Sequence, residues 1–366
     1  MSVTKAIILV GGQGTRLLPL TCNIPKAMVP VLNTPFLEHV IRYLSSHQIK
    51  DVTLTLSHLV PPIKKYFGDG SQSGVNINYT IEDPPLGTAG AVKNAEEYLA
   101  ETFLVLNGDI FTKLDITDMI SFHLEKKAKA TIALTPVDDP TNYGLIEANT
   151  EGRVTRFLEK PNWDQVTTNT INAGTYVLSP EVLTHIPPQA NFSFERDLFP
   201  LLLDHGEPIF AYPSSAYWID IGTPEKYLQL QRDLLSSQNS QNIITPNKDL
   251  IDEQSYFHPT VQVEGAVVIG SDCTIEQNVK LIGPSVIGSG CTILKDTVIE
   301  ESIVWQNVRI GPHVTLRKSI VADNCCLNAN SIIEDSLLSD NVTVASDSNL
   351  EPGSRIEPGT TVEAKT

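Results

Sequence analysis

The chain has 366 residues, a formal net charge of -17 at pH 7 and 41% hydrophobic residues, enough for two domains with buried cores. That acidic balance argues against nucleic acid or an anionic membrane as the main partner, since both reward a basic surface, so any phosphate chemistry must rest on a few placed cations. No apolar run approaches the ~20 residues of a membrane span, and the first residues lack the basic, apolar and small-residue succession of a signal peptide, so a soluble protein in the cytoplasm is expected.

In chain order, Lys5-Ala6-Ile7-Ile8-Leu9-Val10 reads as a buried strand, and Gly11-Gly12-Gln13-Gly14-Thr15-Arg16-Leu17 follows it. Leu17 stands where a dinucleotide fingerprint needs its third glycine, and no G-x-x-x-x-G-K-[ST] occurs. Three glycines still let backbone N–H groups approach an anion, with Arg16 offering a planar fork and Lys26, ten residues on, a compact charge. The loop reads as a polyphosphate cradle, although a tight surface turn with solvated cations would look the same. Beyond it come a helix around Phe36-His47, a strand Asp51-Leu56, a short helix around Pro62-Phe67, a strand Ile77-Ile81, a helix around Ala89-Leu99 and a strand Phe103-Leu106. Such alternation predicts a mostly parallel, doubly wound sheet, whose ligands sit beyond the carboxyl ends of the strands.

Two acids stand in apolar company, Asp109 just after Phe103-Leu106 and Asp220 in Tyr217-Trp218-Ile219-Asp220-Ile221-Gly222. Two carboxylates plus phosphate oxygens and waters is how Mg²⁺ is usually held. Either acid alone could equally cap a helix or sit in a buried ion pair. The five cysteines, Cys22, Cys273, Cys291, Cys325 and Cys326, show no metal-site spacing, and their odd count predicts reduced, structural thiols.

A polar stretch from Ser236 to Asn242 suggests a linker, after which the period changes. Branched aliphatics recur every six residues at Val263, Ile269, Ile275, Leu281, Ile287, Ile293 and Ile299, in a shifted register at Val304, Ile310 and Leu316, and again at Ile332, Leu338, Val344, Leu350, Ile356 and Val362. This predicts a parallel β-helix rather than a strand-rich sandwich. Cys273 and Cys291, one coil apart, should stack roughly 4.8 Å apart. The period leaves the hand open.

Taken together, Gly11 to Leu17, Pro25-Lys26, Pro85-Leu86-Gly87-Thr88-Ala89-Gly90, Asn107-Gly108-Asp109, Tyr143-Gly144, Glu159-Lys160-Pro161, Asn172-Ala173-Gly174 and Trp218 to Gly222 closely resemble the nucleotide-sugar pyrophosphorylases, the sugar-1-phosphate nucleotidyltransferases. The resemblance covers about the first 230 residues, in order. It implies a Rossmann-like doubly wound α/β nucleotidyltransferase domain over 1–235, a linker over 236–255 and a left-handed β-helix of hexapeptide repeats over 256–366. It also implies that a sugar-1-phosphate attacks the α-phosphorus of a nucleoside triphosphate and releases pyrophosphate. That nucleophile is already an anion, which suits a chain whose eight histidines form no catalytic triad pattern.

By matching motifs, the resemblance implies that Arg16 clamps the leaving phosphates, Lys26 the reacting ones, and Asp109 with Asp220 the Mg²⁺. Lys160 takes the sugar phosphate, while Glu159, Asn172 and the backbone at Gly144 take sugar hydroxyls. Gly12, Glu82 and Gly87 line the base, and Gly11, Gly14, Thr15 and Thr88 complete the nucleotide set. Taken singly, Lys160 and Asn172 could be turn residues. The motifs look most like those of mannose-1-phosphate guanylyltransferases, favouring GTP; a glucose-1-phosphate enzyme using UTP or dTTP is the alternative. A non-catalytic regulatory subunit is a further one, against which the retained Arg16, Lys26, Asp109, Lys160 and Asp220 speak. Acyl transfer by the β-helix has only His258 and His313 available as base, and His313, in a regular coil position, lacks a visible partner in the sequence. A homo-oligomer through the β-helix is the expected assembly.

Overall fold

A computed structural model describes residues 3–57, 59–236 and 254–364. The chain forms two compact units that do not follow chain order: Met1–Gln13 with Leu37–Asp220, and Gly14–Phe36 with Ile221–Thr366. Of the linker expected over 236–255, residues 237–253 lie outside the described residues. Among the described residues no helix is long and apolar enough to cross a membrane.

The strands are β1 (Lys5–Leu9), the hairpin β2 (Pro30–Val31) and β3 (Thr34–Pro35), β4 (Asp51–Leu56), β5 (Asn76–Ile81), β6 (Phe103–Asn107), β7 (Ile110–Thr112), β8 (Ala130–Pro136), β9 (Gly144–Ala148), β10 (Val154–Glu159), β11 (Thr170–Leu178), β12 (Ile209–Pro213) and β13 (Trp218–Asp220). The helices are α1 (Phe36–Ser46), α2 (Val60–Phe67), α3 (Gly87–Asn94), α4 (Ile116–Lys126), α5 (Phe199–Asp204) and α6 (Pro224–Leu235). The helix expected over Ala89-Leu99 stops at Asn94 and resumes as a 3₁₀ turn over Glu96–Tyr98.

In the first unit the sheet runs β10-β9-β11-β6-β1-β4-β5, with β8 beside β11 and β12 beside β8. Strands β6, β1, β4 and β5 are parallel; the near-continuous apolar runs of β6 and β1 suit strands covered on both faces, whereas the edge strand β5 mixes polar and apolar residues. Beyond β6 the mostly parallel expectation fails, because β11 runs antiparallel to β6, β8 and β9, and β9 to β10. Around β11 the core packs Ile7, Val105, Ile132, Tyr176, Phe194 and Phe199, all fully buried or nearly so.

In the second unit three columns of short parallel strands form the β-helix expected from the period. Its first coils are 18 residues long, as from Ile275 to Ile293. The middle ones are 17, as from Ile299 to Leu316 and from Leu316 to Ile333, and the last returns to 18, from Leu338 to Ile356. The missing residue falls at one corner each time, in Glu300-Glu301-Ser302, Arg317-Lys318-Ser319 and Glu334-Asp335-Ser336, where Glu301, Lys318 and Asp335 turn the chain at φ of 45–46°. The serines bridge the coils: Ser302 Oγ accepts from the Ser319 N–H at 3.2 Å, and Ser319 Oγ from the Ser336 N–H at 3.0 Å.

This recurring short corner corrects one assignment of an inward residue: Ile333 is fully buried while Ile332 is 39% exposed. Val263 keeps the register of buried Leu281 but, on the first strand of its column, is 42% exposed. Cys273, Cys291 and Cys325 are buried free thiols, as expected of structural cysteines, and each donates to a carbonyl of the neighbouring corner, at Gly288, Trp305 and Ser339 respectively, over 3.0–3.1 Å. His313 is one of a corner column with Asn278, Asp296, Asn330 and Asp347, all at positive φ.

Candidate active site

Topology gathers the first unit's candidates at one end of its sheet. Parallel β1 and β6 pair Leu9 with Asn107, so Gly11-Gly12 and Gly108-Asp109 leave from neighbouring strands. Antiparallel β11 brings Asn172 back to that end, Ile171 pairs with Leu145 of β9, and Glu159 of β10 pairs with Gly144. The parallel edge strand β5 delivers Glu82 there too.

The short ribbon β7–β13 pairs Asp220 with Ile110, which sets Asp109 and Asp220 one register position apart. Asp220 is buried and accepts a hydrogen bond from Tyr143 Oη at 3.2 Å. Tyr143 stands edge-on to Trp218, whose indole N–H donates to the Ala173 carbonyl at 2.9 Å. Two glycines clear this corner. A Cβ on Gly108 would lie 2.6 Å from the Leu9 carbonyl oxygen, and one on Gly174 would lie 2.4–2.5 Å from Ile110 and Asn107.

These residues fit a hard divalent cation. The donors are carboxylate oxygens, and the buried Asn107 Oδ1 two positions before Asp109 has no hydrogen-bond partner. Among the described residues no three His, Cys, Asp or Glu side chains cluster as an all-protein metal cage. Mg²⁺ prefers such a sparse set, completed by waters and phosphates.

Glu82 is buried, and its carboxylate accepts from the Leu86 N–H at 2.8 Å, tying the Pro84-Pro85-Leu86 turn beneath Gly11. Burial raises its pKa, against the opposing pull of that N–H. Gly87 has φ of 73°, and a Cβ there would meet the Phe192 carbonyl at 2.8 Å. The Thr88 hydroxyl accepts from the Phe194 N–H at 2.8 Å and donates to Glu195 at 3.2 Å, so it braces the fold. Gly12 differs: no protein atom lies within 4 Å of where its Cβ would be. Protein packing therefore does not require a glycine at that place.

At the other flank, Asn172 donates to Tyr176 Oη at 2.8 Å and accepts from the Gly174 N–H at 2.9 Å, while Tyr176 donates to Glu195 at 3.1 Å. Desolvation and then the charge of Glu195 push the Glu159 carboxyl upward, opposed by Lys160 and Arg196. Lys160 holds φ of 50°, fixed by its N–H on the Tyr143 carbonyl at 3.0 Å. Glu195 is the polar residue that sequence reasoning missed, and Tyr143 was named only as part of the Tyr143-Gly144 motif, without a role. Glu195 gave little signal, being one of three consecutive charged residues, Glu195-Arg196-Asp197, between Phe194 and Leu198.

Gly14, Thr15, Arg16 and Lys26 belong to the second unit. Gly14 takes φ of 65° and opens a 3₁₀ turn over Thr15–Leu17; a second covers Lys26–Met28. Thr21 Oγ1 donates to the Gly14 carbonyl at 2.9 Å, and the Lys26 stem lies 3.1 Å from where a Gly14 Cβ would be. A cavity of about 580 Å³ lies elsewhere in the first unit, lined among others by Leu134, Glu147, Thr167 and Pro213, and holds none of the candidates.

Residues 5–237 match the nucleotidyl transferase family, and residues 250–350 match the EIF2B subunit epsilon LbH domain. The chain is 35% identical over 280 residues to mannose-1-phosphate guanylyltransferase of Mycobacterium tuberculosis, covering 75% of this chain and 77% of that one. It is 34% identical over 333 residues to UTP–glucose-1-phosphate uridylyltransferase of Synechocystis, covering 85% of each. A crystal structure of HddC from Yersinia pseudotuberculosis complexed with GMP-PN matches with a TM-score of 0.55 and 33% identity, covering 63% of this chain and all of that one.

Proposed function

Because this chain belongs to the nucleotidyl transferase family, as a sugar-1-phosphate nucleotidyltransferase, we propose that it couples GTP to mannose-1-phosphate, forming GDP-mannose and releasing pyrophosphate. The observation that supports the site assignment is the β7–β13 ribbon, in which Asp220 pairs with Ile110, the residue after Asp109. A guanine nucleotide is favoured by the relative in Mycobacterium tuberculosis and by the GMP-PN complex.

In this reading a sugar-phosphate oxygen bonds to the α-phosphorus, the bond from that phosphorus to the bridging oxygen breaks, and its electron pair leaves with pyrophosphate. No general base is needed, so catalysis rests on positioning and charge neutralisation. Arg16 and Lys26 take the triphosphate, and Gly12 leaves the backbone open to close approach. Lys160 takes the sugar phosphate, with Glu159, Asn172 and the Gly144 backbone on the hydroxyls. Asp109 and Asp220 would hold Mg²⁺, which when bound supplies positive charge against the phosphates. A cytoplasmic location and a homo-oligomer belong to the same proposal; light scattering that gave only a 40.1 kDa particle would remove the oligomer.

The test is pyrophosphate release across GTP, UTP, dTTP and ATP against mannose-1-phosphate and glucose-1-phosphate. GTP with mannose-1-phosphate is expected to dominate. Dominance of UTP or dTTP with glucose-1-phosphate overturns the substrate assignment in favour of the reading that the Synechocystis relative supports.

A further inference from the structure

The three faces of the β-helix are not alike. On two of them the outward residue of each strand is wet or half-wet, as at Lys280, Thr274 and Arg309. On the third the outward residues are Val286, Ile303, Ile320 and Leu337, exposed by only 2%, 3%, 1% and 4%. Polar groups along that face and the corner after it bond to two other parts of the same unit, the segment 14–36 and helix α6.

Asn33 Nδ2 donates to the Ile287 carbonyl at 2.8 Å. The Trp305 indole N–H donates to Tyr227 Oη at 3.2 Å, and Tyr227 in turn donates to the Pro30 carbonyl. Ser339 Oγ donates to the Pro19 carbonyl at 2.8 Å, and Asn23 Nδ2 to Asp340 at 3.1 Å. Gln231, 3% exposed, grips the β2–β3 hairpin twice: its Nε2 donates to the Pro30 carbonyl at 3.0 Å, and its Oε1 accepts from the Leu32 N–H at 2.9 Å.

That hairpin turns on Leu32 and Asn33, at φ of 48° and 63°. A two-residue turn with both φ positive suits Asn-Gly, and leucine in that region is unfavourable without outside support. The support is the grip at both turn residues, by Gln231 and by the Ile287 carbonyl. From the hairpin the chain leads directly back to the turn of Lys26, and from Pro19 back to the turn of Arg16.

We infer that this face of the β-helix, through Trp305 and Ser339 and together with Gln231 of helix α6, positions Arg16 and Lys26 for the triphosphate. The three are positioning residues, and the inference rests on the reading of Arg16 and Lys26 given above. It makes the β-helix part of the nucleotide-binding apparatus.

The test uses the full chain with Gln231→Leu, Ser339→Ala and, as control, Ser319→Ala, whose buried hydroxyl bridges coils without a bond to residues 14–36. Amide hydrogen exchange across residues 14–36 and KM for each substrate are the readouts. Gln231→Leu and Ser339→Ala are expected to speed exchange within 14–36 at least tenfold and to raise KM for the triphosphate, leaving KM for the sugar-1-phosphate unchanged. Ser319→Ala is expected to lower the melting temperature without either change. Unaltered exchange and triphosphate KM in folded Ser339→Ala, or equal changes in the control, overturn the inference. If the wild-type chain releases no pyrophosphate, the functional reading fails by itself, and exchange still decides whether the β-helix holds the segment.

Discussion

The sheet edge of the first unit and the β-helix of the second are built on opposite plans. At the edge each element contributes one residue of its own kind: a glycine after β1, an acid after β6, an asparagine on β11, a lysine after β10. In the β-helix every coil repeats the last, with an inward aliphatic, a left-handed corner residue and a hydrogen bond to the neighbour below. Single changes should therefore remove function without stability at the edge, and stability without function in the coils away from the bonds to segment 14–36.

The largest effect is expected from Asp109→Asn, which deletes a charge at nearly constant shape. Turnover should fall about 1000-fold, worth ~4 kcal/mol of transition-state stabilisation, with the melting temperature unchanged. Steady-state rates beside a thermal melt check both halves, and normal turnover would remove Asp109 from the site. The complement is Leu316→Ala in the β-helix core, which should cost about 3 kcal/mol of stability by leaving a cavity while kcat stays as it was. A fall in kcat there would break the contrast between the two plans.

Lys160→Ala sharpens the comparison within the edge. Losing one charged phosphate contact, about 2 kcal/mol, should raise KM for the sugar-1-phosphate roughly thirtyfold. A raised KM for the triphosphate instead would contradict its role.

The smallest effect concerns His123 on α4, buried against Thr131 of β8, with burial lowering its pKa from 6.5 to about 4. The imidazole stays neutral in the fold, whereas the unfolded chain takes up a proton below 6.5. Stability is thus lost as pH falls from 6.5 towards 4, by ~1.4 kcal/mol per unit. Urea midpoints at pH 6.5 and 5.5 should show this slope, and His123→Gln should abolish its share.

The same contrast explains what could be read in advance. The β-helix was legible because a repeat states its rule many times, yet Ile332 was taken for Ile333. Counting back by six from Leu338 misses a five-residue corner, and the adjacent isoleucines hide the slip; the corner serines Ser302, Ser319 and Ser336 were the available signal. At the edge, motif order named the acids and glycines; Gly11, Gly12, Gly108 and Asp109 follow strands β1 and β6 closely, while Asp220 ends β13 and Gly144 opens β9. Glu195 escaped because its meaning lies in Tyr176 and Thr88, which only the fold brings near. The company of Arg16 and Lys26 escaped for the same reason, since it is fixed by Gln231, Trp305 and Ser339, some two to three hundred residues away.

The bonds to segment 14–36 come from different rungs of one ladder: the coil of Ile287, the next at Trp305, and that of Ser339 two further on. Neighbouring rungs are about 4.8 Å apart. Gene duplication lengthens such a solenoid easily, a whole rung at a time, but an extra rung between Ile287 and Ser339 would pull these anchors apart by that distance. Descendants of this chain are therefore free to grow or shorten the β-helix only outside that interval, towards its two ends.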